Sequence, residues 1–484
     1  MVSLQNQKLF KAQAYIDGKW TDADDQQTFE VVEPSTGNIL ANLPDMGASE
    51  TRRAIEAADV ALPAWRALTA KERARYLLKF HDELMVNQED LARLLSAECG
   101  KPVAEARGEV AYGASYLEWF AEEAKRAYGD VIPPSMPNSR VVVTKEPIGV
   151  CAAITPWNFP NAMIARKIAP ALAAGCTIVI KPSEETPLSA LALASIAETV
   201  GIPAGVISVI TTKKSAEVGE EMTSSSIVRK LSFTGSTAVG KLLARQSAET
   251  MKRTSFELGG NAPFIVFDDA DIDAAVAGAL VCKYRNAGQT CVCANRFYIQ
   301  RGVFEEFRDK LLEGVKELKA GNWDDASVDQ GPLINASGMS KVKDLVANAL
   351  EVGGKLVTGG VPHSLGQTFY EPTIIEATND ARAAVEEIFG PVAMLYVFDT
   401  EEEVIEKANA TNYGLAAYYY TRDLGRSWRV GDALEYGMIG INTGIVSNEA
   451  APFGGMKESG QGREGSRYGL DDYMEIKYRA IAGL

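Results

Sequence analysis

Three short segments carry side chains suited to covalent chemistry at a carbonyl carbon. In Arg285-Asn286-Ala287-Gly288-Gln289-Thr290-Cys291-Val292-Cys293, a Gly-Gln-Thr-Cys turn offers the Cys291 sulfur as a nucleophile. In Phe256-Glu257-Leu258-Gly259-Gly260-Asn261, Glu257 stands 34 positions before Cys291 and leads a Gly-Gly turn. Pro156-Trp157-Asn158-Phe159-Pro160 adds a side-chain amide. An exposed thiolate beside dipole-rich backbone attacks carbonyl carbons, and the adduct needs a second group to complete the reaction. The Asn158 amide and the Cys291 backbone N–H suit a developing oxyanion, where loss of one donor costs ~10²–10³ in rate. Glu257 suits the activation of water that hydrolyses an acyl-enzyme. An unpartnered cysteine is ordinarily a small buried apolar residue. Cys99, Cys151, Cys176 and Cys282 read that way from their apolar or helical surroundings.

These residues need a frame. Glu257 closes the alternating run Thr254-Ser255-Phe256 and reads as a strand end entering a tight turn. From Gly149 onward strands alternate with helices: strands at 150–154, 177–180, 207–210 and 230–233, helices at 162–174 and 189–200. Such alternation predicts a parallel sheet with crossover helices. A second alternating block begins near Phe264 and runs to Phe398. Before the first block lie short strands over 14–45, helical periodicity over 48–98, and a long amphipathic helix over 103–128. Residues 133–144 read as a hairpin-like excursion, and 473–478 alternate like a strand that pairs outside its own domain.

Ligands of open parallel sheets bind beyond the carboxyl ends of the strands. Lys181 and Glu184 stand at such an end, where a carboxylate accepts both hydroxyls of an adenosine ribose and repels a 2′-phosphate. Gly235 and Ser236 follow the strand at 230–233 and open a helix, a setting that suits a pyrophosphate. This turn is neither the dinucleotide G-x-G-x-x-G nor a phosphate-binding lysine loop.

Composition bounds the rest. A chain of 484 residues, 46% hydrophobic and 23% charged, is expected to form two or three globular domains. A net charge of −15 disfavours nucleic acid and anionic membranes as partners. No apolar run reaches the length of a transmembrane helix, and Met1 to Ala12 is polar with no signal region. The cysteines form no disulfide framework, so a reducing cytoplasm is the expected compartment. His81 and His363 are far apart in polar context, and no metal site is expected.

The motifs resemble those of the aldehyde dehydrogenase superfamily along nearly the whole chain. Further matching stretches are Tyr15 to Trp20, Lys181 to Glu184, Phe233 to Thr237, Glu386 to Pro391 and Pro452 to Gly460. Within the superfamily the chain is most similar to bacterial succinate semialdehyde dehydrogenases. The resemblance implies an α/β fold with two parallel-sheet domains and a β oligomerisation arm. It implies an NAD-binding domain at 1–128 and 148–257, a catalytic domain at 258–464, and the arm at 129–147 and 465–484. It implies cofactor contacts at Thr155, Trp157, Lys181, Ser183, Glu184, Gly235, Ser236, Leu258, Glu387 and Phe389. Arg166, Arg285 and Ser447 match residues that clamp the distal carboxylate of a semialdehyde, for which a planar guanidinium is suited. The implied reaction is oxidation of succinate semialdehyde to succinate by a homodimer or homotetramer, with glutarate semialdehyde a close competitor. The product is a free acid, because coenzyme-A-acylating relatives lack the glutamate found at Glu257. A binding protein that kept the fold without catalysis is the remote alternative.

Two departures bear on the cofactor. Thr211-Thr212-Lys213-Lys214-Ser215 replaces a Gly-rich stretch of many relatives, and its lysines soften a preference against NADP. Glu184 occupies a position where close relatives that use NADP often have a small residue. NAD is therefore favoured, with NADP possible. Cys293 matches a position that in some relatives forms a reversible disulfide with the nucleophile, and a packing role is the simpler reading.

Overall fold

The computed structural model describes residues 2–484. Two sheets dominate it. The first has eight strands in the spatial order Lys19–Thr21, Ala14–Ile16, Ile207–Val209, Thr177–Lys181, Val150–Ile154, Val228–Thr234, Arg253–Glu257 and Gly460–Gln461. The five from Ile207–Val209 to Arg253–Glu257 run parallel, and the flanking pairs are antiparallel. Helices Ala162–Ala174 and Pro187–Thr199 are the crossovers, both apolar nearly all round because both faces are covered. The strand order reverses between Val150–Ile154 and Val228–Thr234, which creates a crevice beyond their carboxyl ends.

The second sheet has seven strands, ordered Lys355–Thr358, Thr373–Glu376, Val392–Phe398, Ala294–Gln300, Ala262–Val266, Ala416–Tyr420 and Met438–Ile441. All but the first run parallel. It therefore extends beyond the block read from the sequence, which ends at Phe398. Strand Arg253–Glu257 of the first sheet passes through Leu258 to Asn261 straight into Ala262–Val266 of the second. Gly260 is required in this passage, since a Cβ there would lie 2.5 Å from the Cys291 carbonyl oxygen.

Some boundaries differ from the sequence expectation. The periodicity over 48–98 resolves into three helices, Ala48–Ala67, Ala70–Val86 and Gln88–Cys99. Thr69 forms a capping box with Glu72, and Asn87 ends one helix and begins the next. The next helix, Val103–Glu123, ends before Tyr128 and tightens into a turn at Ala124–Arg126. The crossover expected from Ser189 starts at Pro187, with proline in the first turn and the buried Glu98 carboxylate accepting the N–H groups of Leu188 and Ser189 at 2.7 and 2.8 Å. Strands Asp130–Ile132, Ser139–Pro147 and Met474–Ala482 make a separate three-stranded sheet. Gly460–Gln461, from the segment expected to stay with the second sheet, joins the edge of the first. Among the described residues no helix is long and apolar enough to cross a membrane.

Candidate active site

Cys291 sits where two cavities meet. One, of about 460 Å³, is lined by Trp157, Asn158, Gly235, Ser236, Glu257, Leu258, Glu387 and Phe389. The other, of about 320 Å³, is lined by Arg166, Arg285 and Ser447 together with Glu105, Glu109, Tyr112 and Phe453. Phe159, Met163 and Cys291 border both. The carboxyl ends of the first sheet supply Asn158 and Glu257, and the loop entering strand Ala294–Gln300 supplies Cys291.

The loop before Cys291 is held in a costly shape. Asn286 and Ala287 both have left-handed φ values, +52° and +55°, and Gly288 follows at +72°. An L-residue in that region costs about 1–2 kcal/mol. Several bonds hold it there. The Asn286 side-chain amide donates to the carbonyls of Asn158 (2.9 Å) and Gln289 (3.2 Å), and Glu105 accepts the Asn286 N–H. The Gln289 oxygen accepts the N–H of Ile334 at 2.9 Å, and its amide donates to Pro332 and Asn286. The Cys291 N–H takes no backbone acceptor among the described residues.

Asn158 is 5% exposed; its amide donates one N–H to Gln289 O at 3.0 Å, leaving a second N–H. Its carbonyl accepts from Lys101 Nζ at 2.6 Å, and Lys101 in turn is ion-paired to Glu109 at 2.6 Å with both side chains buried. Glu109 also accepts the N–H groups of Asn161 and Ala162 at the start of the next helix. One buried pair thus ties three elements to the Asn158 turn.

The charge states differ from an exposed thiolate. Burial of its surroundings pushes the Cys291 thiol up to about 12, with Glu387 and Glu257 adding to the rise while Arg166 and Arg285 oppose it. The resting sulfur is therefore a thiol at neutral pH. Glu257 is buried, and desolvation and the Glu464 carboxylate raise it well above the usual carboxylate range against the pull of Arg166, Lys167 and Arg463. Its Oε2 has no hydrogen-bond partner. Behind it Glu464 takes a bond from Lys167 Nζ at 2.5 Å, and Lys167 also donates to Ser232. Burial pushes Glu387 up to about 7, and its Oε1 accepts the Gly260 N–H at 3.1 Å.

Arg166 is 1% exposed. Its Nε is ion-paired to Glu464 Oε2 at 2.9 Å, and its Nη2 has no hydrogen-bond partner. Its guanidinium stacks over Phe453 at 3.9 Å. Arg285 lies over Phe159 at 5.5 Å.

The residues expected to hold a dinucleotide fall into two groups. Trp157, Gly235, Ser236, Leu258, Glu387 and Phe389 line the larger cavity, with Trp157 and Phe389 edge to face at 5.4 Å. Thr155, Lys181, Ser183 and Glu184 lie outside it, at or just beyond the ends of Val150–Ile154 and Thr177–Lys181. Lys181 Nζ is 3.2 Å from Glu184 Oε2. The residues fit a dinucleotide: Ser236 caps helix Thr237–Ala248, and the buried hydroxyls of Thr155 and Thr234 lack partners. Lys214 is bonded to Asp25 and to the Asp45 carbonyl, both at 3.0 Å, so it is not a free cation. Cys293 is buried with its thiol toward the carbonyls of Lys283 and Ala294, each at 3.5 Å, and lines neither cavity. The four cysteines read as packing residues are buried.

Some lining residues carried no sequence signal of their own. Asn335, Ser337, Gly338 and Lys341, at the start of helix Ala336–Glu351, border the larger cavity. Asn335 caps that helix by accepting the Gly338 N–H, which marks the helix start and not the cavity. Glu105 and Tyr112 border the smaller cavity from a helix about 180 positions before the nucleophile loop, as the Glu105–Asn286 separation of 181 shows.

Comparison with known proteins agrees with this geometry. The pattern of the Aldehyde dehydrogenase family matches residues 20–479. The glutarate-semialdehyde dehydrogenase of Pseudomonas aeruginosa is 60% identical over 484 residues, covering 100% of both chains. The NADP(+) succinate-semialdehyde dehydrogenase of Escherichia coli is 56% identical, covering 99% of this chain and 100% of that one. The crystal structure of succinate-semialdehyde dehydrogenase from Burkholderia pseudomallei superposes with a TM-score of 0.98 at 58% identity, covering 99% of this chain and 100% of that one. With the paired cavities, the nucleophile loop and whole-length likeness in agreement, this chain belongs to the aldehyde dehydrogenase family.

Proposed function

We propose that the protein oxidises a short semialdehyde bearing a distal carboxylate, succinate or glutarate semialdehyde, to the corresponding diacid with NAD(P). The observation that carries this reading is the buried, unpartnered Arg166 Nη2 in a cavity it shares with Arg285, Ser447 and Cys291. A buried guanidinium donor without a partner is expensive, and an entering carboxylate satisfies it. The likeness to relatives named for five- and four-carbon semialdehydes supports both chain lengths.

In this reading the aldehyde lies over Cys291 with its carboxylate toward Arg166 and Arg285. The Cys291 thiol gives its proton to solvent, and the sulfur adds to the carbonyl carbon. Asn158 and the Cys291 N–H hold the oxyanion. The nicotinamide, when bound, supplies the hydride acceptor. Glu257 then takes a proton from the water that cleaves the thioester. Lys181, Ser183 and Glu184 would hold the adenosine ribose, Gly235 and Ser236 the pyrophosphate, and Glu387 the nicotinamide ribose. Glu184 favours NAD through its charge. The likeness to an enzyme named for NADP keeps both cofactors in the test. The separate three-stranded sheet joins copies of the chain into a dimer or tetramer.

An aldehyde panel run with both cofactors tests this, with Arg285→Ala beside the parent. The parent prefers both semialdehyde acids to butanal. Arg285→Ala loses roughly 10- to 150-fold in kcat/KM on the acids, the worth of one charge-assisted bond, and far less on butanal. Equal losses on all substrates would mean that Arg285 only supports the loop, and the carboxylate reading would fall.

A further inference from the structure

Glu105 lies in the first turn of helix Val103–Glu123 and borders the substrate cavity. Its two carboxylate oxygens lie 2.9 and 3.2 Å from the backbone nitrogen of Asn286, whose N–H they share. Asn286 opens the left-handed pair of the nucleophile loop, and its side chain reaches the carbonyls of Asn158 and Gln289. The same carboxylate faces three charged groups. They are Lys101 from the turn before its helix, Arg285 from the nucleophile loop, and Glu109 one helical turn on.

We propose that Glu105 is a positioning residue that determines specificity: it fixes the Asn286 end of the nucleophile loop and sets how strongly Arg285 attracts the substrate's distal anion. This rests on the carboxylate-clamp reading above. The Arg285 and Arg166 charges favour an anion in the cavity, and an ionised Glu105 opposes it; a neutral Glu105 does not. Burial pushes Glu105 up to about 7, against the pull of Lys101, Arg285 and the Asn286 N–H. A carboxyl raised in this way is neutral below that pH and charged above it. The substrate's own carboxylate stays ionised throughout. The KM for a semialdehyde acid therefore rises as pH climbs through about 7. Butanal, with no charge, does not sense the change. Glu257 and Glu387 also titrate upward of the usual range from the cofactor cavity; Glu387 moves both substrates together, and Glu257, which faces Arg166, adds a share of slope that does not depend on Glu105.

The readout is thus a ratio, KM for succinate semialdehyde over KM for butanal, followed between about pH 6 and 8.5. In the parent the ratio rises roughly three- to tenfold, the effect of one partly screened charge a few ångströms away. In Glu105→Gln, which keeps an acceptor for the Asn286 N–H but cannot ionise, the slope falls to the share that Glu257 leaves. Glu105→Asp, which can ionise, restores the slope. A merely structural role would change activity without touching this slope. A parent that shows no preference for the acid over butanal overturns the proposed function itself. A parent that prefers the acid but gives a flat ratio, or a Gln variant with the parent's slope, overturns the role of Glu105 alone.

Discussion

At the scale of single residues, the groups proposed to do chemistry are visible by type and spacing, and their charge states are not. Cys291, Glu257 and Asn158 each sit in a short motif. Whether the sulfur rests as thiol or thiolate depends on Arg166, Arg285, Glu257 and Glu387 and on how deeply the junction is buried. Those neighbours come from four separate segments. The buried, partnerless Oε2 of Glu257 is suited to a base that works only once a water arrives beside it. Glu257→Gln should therefore keep the hydride step and stall at the thioester. Rapid mixing should show one NADH formed per active site and almost no turnover afterwards. Turnover at the parent rate would show that another group activates the water. Loss of the first NADH as well would mean that Glu257 is also needed to deprotonate Cys291, which rests as a thiol.

At the scale of elements, the sequence pattern located Val150–Ile154 and the strand end at Glu257, because a buried parallel strand reads as a short apolar run, but it did not single out Ala294–Gln300 behind Cys291. Contacts between distant elements left no local trace. Glu98 caps helix Pro187–Thr199 from 90 positions away, and Lys101 reaches Asn158 across 57. The two-residue strand Gly460–Gln461 is too short for a period to register. The end of Thr177–Lys181 carries the cofactor prediction. Glu184 pairs with Lys181, and the nearby Lys214 is occupied by Asp25. A 2′-phosphate would meet the Glu184 carboxylate with no free lysine from the 211–215 segment to offset it beyond Lys213. Glu184→Ser should remove that repulsion and free Lys181. The NADP-to-NAD ratio of kcat/KM should rise tenfold or more, since about 1.4 kcal/mol suffices. A parent that already prefers NADP would contradict this account of Glu184.

At the scale of the whole molecule, the three-stranded sheet presents a face suited to the second copy proposed above. Met474–Ala482 pairs along its full length with Ser139–Pro147, yet only Met474 of its residues is buried. The register sorts the side chains by face. Ile476, Tyr478 and Ala480 lie opposite Lys145, Val143 and Val141, and Val141 in turn faces Ile132. The other face carries Lys477 and Arg479, both ion-paired to Glu146. One side is thus largely apolar and the other salt-bridged, the pattern of a sheet with a covered face and a wet one. Ile476 and Tyr478 are 72% and 63% exposed in the single chain, and a small sheet needs such a face packed to be stable. The parent should sediment as a dimer or tetramer. Ile476→Lys with Tyr478→Lys places two charges on the apolar face and should shift the mass toward the single chain of 52.1 kDa. Arg479→Ala, on the opposite face, should leave the mass unchanged. A parent that sediments as a single chain, or a double variant that keeps the parent's mass, would place any contact between copies elsewhere on the molecule.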